Sequence, residues 1–87
     1  MYNKEEDQTI ANLIEMRIRQ QVQNAIKVSE PERIGGKLVV TISVDAKLAS
    51  KVYEALNDLV GKLEYIEIDS SSDTTLFKVR PVINKFI

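Results

Sequence analysis

The side chains of this chain that could do chemistry are carboxylates, lysines, arginines and three tyrosines, because its 87 residues include no histidine and no cysteine. Without them a Ser-His-Asp or Cys-His nucleophile cannot be assembled. The commonest general base and the commonest zinc ligand are missing, and disulfides and thiolate-bound metals are excluded. Carboxylates could still hold magnesium or act as an acid–base pair. They fall mostly at helical surface positions, so residue chemistry indicates no enzyme, no cofactor and no metal. Arg80 carries a guanidinium, which suits bidentate phosphate geometry; a plain surface arginine is the alternative. Twelve Lys and Arg against thirteen Asp and Glu leave the chain near neutral, which demotes general nucleic-acid coating.

No apolar run approaches the length of a membrane span. The opening residues, Met1 to Glu6, are acidic and lack the apolar core of a signal peptide. The expectation is a cytoplasmic protein with no membrane attachment.

The elements that must position these side chains are organised around Lys37 to Leu63. Leu38, Val40, Ile42 and Val44 alternate with more polar neighbours, the pattern of a half-buried strand. Asp45 offers a cap, and Ala46 to Val60 follows at helical spacing, closed by Gly61. Leu48, Val52, Leu56 and Leu59 line one face of that helix, with Tyr53 at the edge of the stripe. Tyr53 either packs its ring and wets its hydroxyl or anchors an interface.

Upstream, Asn3 and Glu6 form a plausible capping pair for a helix from about Lys4 to Val28. Its ridge is Ile10, Ile14, Ile18, Val22 and Ile26, widened by Leu13 and Ala25. Ser29 to Gly36 reads as a connector, with Pro31 disfavouring helix before it and Gly35-Gly36 freeing the backbone. Downstream, Leu63 to Asp69 is a strand with acidic residues on both faces, which suits a sheet edge. Ile66 and Ile68 share one face with Glu64; Leu63 and Tyr65 share the other with Glu67 and Asp69. Ser70 to Asp73 is a turn. Thr74 to about Arg80 reads as a third strand and the rest as a short helical tail to Ile87; a helix through the whole segment is the alternative.

The expected fold class is α+β, a single domain over residues 1–87. A small antiparallel sheet is covered on one face by helices, in the order helix-strand-helix-strand-strand with a short C-terminal tail. Three strands leave two open edges, so pairing into a homo- or heterodimer, through a sheet edge or the long helix, is the physical expectation.

The run Ala49 to Leu56 after the central strand, and Val79 to Ile87 at the end, resemble the Pcc family, the small dimerising subunits of the KEOPS complex. Val52, Tyr53, Ala55 and Leu56 match the first pattern of that family. Val79, Arg80, Ile83, Asn84, Phe86 and Ile87 match the second, which the family carries on a helix. The resemblance implies a non-catalytic subunit that pairs with a Pcc-type partner in support of threonylcarbamoylation of adenosine in tRNA. Its implied interface is Val52, Tyr53, Leu56, Val79, Arg80, Ile83, Asn84, Phe86 and Ile87, and Arg80 and Lys85 are the residues that could instead contact RNA. Two other resemblances point to related roles. Glu6 to Asn12 is similar to the helix-opening signature of RNA polymerase subunit L. The strand-helix-strand-strand portion with Ser50-Lys51 resembles the Alba chromatin proteins.

Overall fold

The structure, a computed structural model, describes residues 3–23 and 26–86. A long helix, α1 (Lys4–Val22), leads into strands β1 (Ile26–Val28), β2 (Glu32–Ile34) and β3 (Lys37–Asp45). A 3-10 turn (Ala46–Leu48) opens helix α2 (Ala49–Asn57), a second 3-10 turn (Val60–Lys62) follows, and β4 (Leu63–Ser70) and β5 (Thr74–Pro81) close the sheet before a last turn, Ile83–Lys85. The order across the sheet is β1-β3-β5-β4, all neighbours antiparallel, with β2 also paired to β3. The fold is α+β with both helices on one face of the sheet, as expected, but with five strand segments rather than three.

The two extra strands correct the reading of residues 26–36. Ile26 fits the every-fourth-residue ridge of α1, yet Ile26 and Val28 also alternate with Lys27. Here they pair with Val44 and Ile42 of β3. The helix ends at Val22, where Gln23 adopts a positive φ of 51°; Ala25 lies outside the described residues. Arg19 ties off this end, donating from a guanidinium nitrogen to the Gln23 carbonyl at 2.6 Å. The connector is a hairpin. Gly35 and Gly36 have φ of +58° and +81°, the double positive φ of a type I′ turn, and Ile34 pairs with Lys37 across it. Between the pairs Val28–Ile42 and Glu32–Val39 the incoming chain carries one residue more than β3. Pro31, which has no N–H to offer the ladder, sits in that interruption.

The Asp45 side chain accepts from Lys47 N–H at 3.3 Å, as a cap should. Gly61 does not end α2: the α-helix stops at Asn57 and Gly61 lies within the following 3-10 turn. Asn3 caps α1, its side-chain oxygen accepting from the N–H groups of Glu5 and Glu6.

The core lies between the sheet and the helices. Ile10, Ile14 and Ile18 of α1 and Val52 and Leu56 of α2 meet Leu38, Val40, Ile42 and Val44 of β3 and Phe77 and Val79 of β5. Each fully buried aliphatic side chain there contributes about 1.5–3 kcal/mol. Leu13, read as part of the ridge, is exposed.

One polar contact sits at the margin of this core. Asp7, in the first turn of α1, is buried and accepts two hydrogen bonds from Arg33 of β2, at 2.6 and 3.0 Å. Arg33 also donates to the Gly36 carbonyl. The pair therefore clamps the helix start to the hairpin. Arg33→Met should destabilise the fold by about 2–4 kcal/mol, because it leaves a buried carboxylate uncompensated. Asp7→Leu with Arg33→Met should cost clearly less than Arg33→Met alone. Urea denaturation of the single and double variants checks both.

Candidate functional site

The residues singled out for an interface separate into core and surface. Val52, Leu56 and Val79 are fully buried in the core, so they cannot touch a partner in this fold. The periodicity that makes them conspicuous is that of inward-facing positions. Tyr53, one step around α2, is 48% exposed. Arg80, Ile83 and Asn84 come together at one end of the sheet, in a cleft of about 370 Å³ also lined by Arg33, Lys37 and Glu64. Phe86 lies instead by Leu13, Met16 and Leu59 around a separate hollow of about 270 Å³, with Lys62 Nζ 5.6 Å from its ring centre. Lys85 is exposed on the last turn and does not line the cleft with Arg80. Ile87 lies outside the described residues.

Residues 74–86 are strand plus a single turn. Val79 and Arg80 belong to β5, and only Ile83–Lys85 forms a helical turn. The part of the Pcc resemblance carried there on a helix is therefore matched by residue pattern and not by secondary structure.

The charges of the cleft are largely spoken for. Arg33 is held by Asp7, and Lys37 donates to Glu64 at 2.8 Å. Arg80 has its guanidinium carbon 5.6 Å from the centre of the Tyr65 ring, a cation–π geometry. Among the described residues Arg80 makes no ion pair, which leaves its charge available to an anionic group. Glu64 reaches Lys37 because β4 is irregular there. Leu63 pairs with Pro81 and Tyr65 with Arg80, so Glu64 is an extra residue in a bulge. The bulge also overturns the simple alternation expected from Leu63 on. Leu63 turns inward to pack against the core while Tyr65 points to the open face.

Strand β4 is an edge of the sheet, as its acidic residues suggested. Among the described residues it pairs with β5 alone. From Glu64 to Ser70 every residue except Ile66 is exposed, including Tyr65 at 50% and Ile68 at 47%. Glu67 and Asp69 make no ion pair among the described residues. The edge thus offers main-chain donors and acceptors, apolar surface on one face, and carboxylates with a tyrosine on the other. The acid pattern marked the edge in the sequence. The exposure of Ile68 was not legible there, because it depends on where the covering layer stops.

Comparison of the chain with protein-family models, curated proteins and solved structures finds no match to any of the three. No helix among the described residues is long and apolar enough to cross a membrane.

The hydrogen bond from Lys37, then its charge, hold the Glu64 carboxyl below its ordinary value of 4.5; slight desolvation opposes this, and Arg80 adds a smaller push downward. A carboxyl depressed on folding contributes stability above its unfolded pKa and loses it as pH falls through the folded value. Lys37→Met should therefore lower the urea midpoint slightly at neutral pH, and the difference from the wild type should shrink once the pH falls below 4.5. A difference that grows in acid would contradict this.

Proposed function

We propose that this chain is a non-catalytic pairing subunit, one that works by adding its surface to another protein. The observation that carries this reading is the open β4 edge, with Tyr65 and Ile68 half exposed on its opposite faces. An edge strand with unpaired main-chain groups is a template for another chain. Tyr53 gives α2 an exposed aromatic of the kind that anchors interfaces.

The particular assembly is proposed from the residue pattern Val52-Tyr53-x-Ala55-Leu56. It is a KEOPS-type complex, in which this chain pairs with a Pcc-type partner and supports threonylcarbamoylation of adenosine in tRNA. Catalysis then resides in another subunit, in the cytoplasm. The burial of Val52, Leu56 and Val79 shifts the proposed contact to Tyr53, the cleft residues Arg80, Ile83 and Asn84, and the β4 edge. In such an assembly Arg80 contacts a tRNA phosphate, a reading supported by its guanidinium lying over the Tyr65 ring with no ion-pair partner among the described residues.

Affinity purification of the full chain with mass spectrometry tests the assignment. Recovery of a tRNA-modifying kinase and ATPase set is expected. Recovery of RNA polymerase instead, or of no partner, would contradict it. Tyr53→Ala should weaken the recovered assembly by about tenfold or more if the ring is an anchor, read by sizing chromatography; an unchanged assembly would assign Tyr53 to packing alone.

A further inference from the structure

We infer that the β4 edge takes an extended segment of a different protein as an added antiparallel or parallel strand, and that this segment alternates basic and apolar side chains. The inference rests on the pairing reading above and gives the partner its chemistry.

The two faces of β4 dictate the alternation. On the open face of the sheet stand Glu67 and Asp69, two residues apart and so on the same side of the strand. Across β5, Glu67 faces Lys78 and Asp69 faces Leu76. A basic side chain on the outer neighbour would continue a ladder of alternating sign, Lys78, Glu67, then the partner's cation, and would give Asp69 the opposite charge it lacks. Opposite charges directly across a strand pair are stabilising and like charges destabilising. On the helix-covered face, Ile66 is partly buried while Ile68 is about half exposed, opposite Phe77. An apolar residue on the added strand would extend that row and cover Ile68.

The same features reject the other occupants. A second copy pairing β4 against β4 would set two carboxylate rows side by side. The β1 edge of a second copy has the right alternation, Ile26-Lys27-Val28, but its ladder is three residues long and is interrupted at Pro31. It cannot match the eight residues of β4. A nucleic acid would bring phosphates onto Glu67 and Asp69.

The test uses the full chain and a blocked peptide alternating lysine and valine, with binding read by fluorescence anisotropy. Two control peptides accompany it: one with glutamate for each lysine, and one with proline for a central valine. The lysine peptide should bind. The glutamate peptide should not, and the proline peptide should lose most of the binding because it cannot complete the ladder. The double variant Glu67→Lys, Asp69→Lys should bind the lysine peptide roughly tenfold more weakly and acquire binding to the glutamate peptide. Its far-ultraviolet circular dichroism should remain that of the wild type, with a slightly lower urea midpoint because the reversed charge at position 67 faces Lys78. Equal binding of the proline peptide would reduce the effect to charge attraction and overturn the added strand. Failure of the lysine peptide to bind, or its indifference to the charge reversal, would overturn the inference. So would oligomers of the chain alone that the lysine peptide fails to disperse. A partner recovered equally by the wild type and the double variant would leave the pairing reading standing while refuting this use of β4. Recovery of no partner, with the peptide bound as described, would do the reverse.

Discussion

The structure depends on β3. Leu38, Val40, Ile42 and Val44 are almost wholly removed from water, and they can be so only if helices cover that face and strands flank both sides. One flank is filled by β1 and β2, the other by β5. Every other element follows from this demand. The helix α1 stops at Val22 because the chain must return as a strand to protect β3's ladder. Helix α2 lies over the same face and carries the chain across to β4, which runs parallel to β3 with β5 between them. In a domain this small the core has little surplus area, so contacts at its margin, such as Asp7 with Arg33, matter more than they would in a larger one.

The residues around β3 were the most legible in the sequence, and the reason is physical. Period-2 burial in β3 and helical spacing in α2 each had one consistent reading. Residues 22–36 did not. Ile26 satisfies both a ridge four residues after Val22 and an inward strand position before Val28, and only the need of β3 for a neighbour decides between them. Gly35-Gly36 is itself a hairpin signal, a two-glycine turn, but only the run after it, from Lys37, reads as a strand; Glu32-Arg33-Ile34 before it holds a single β-branched residue. The interface residues divided for a related reason. Val52, Leu56 and Val79 stand out by apolar periodicity, and apolar periodicity in so short a chain first describes its own core. Tyr53 and Arg80 interrupt that periodicity; Tyr53 is exposed and Arg80 partly so. The bulge at Glu64, which sends Leu63 inward and frees Glu64 for Lys37, depends on pairing with Pro81 and has no local sequence signature.

Both ends of the sheet are edges, but β1 and β2 are three residues each and interrupted at Pro31, whereas β4 runs unbroken for eight. On the first side the chain spends a whole hairpin covering β3. On the far side β4 ends the sheet with no covering strand among the described residues. Its carboxylates discourage a second copy without closing the edge to a partner of opposite charge. The proposed pairing subunit would use a surface of this kind, and Arg80, which lines the cleft beside it, lies over the ring of Tyr65 on the edge strand. The proposed KEOPS-type role draws its specificity from the residue pattern on α2, while its physical plausibility comes from this edge.

Residue-resolved amide hydrogen exchange tests the central claim most directly, that the sheet is closed around β3 and open at β4. In the chain alone, β3 should exchange slowest, near the rate set by global unfolding, while the β4 amides that point away from β5 exchange rapidly. Those same amides should slow when the alternating lysine–valine peptide is added. Slow exchange along the outer side of β4 in the chain alone, or no change on adding the peptide, would contradict the account.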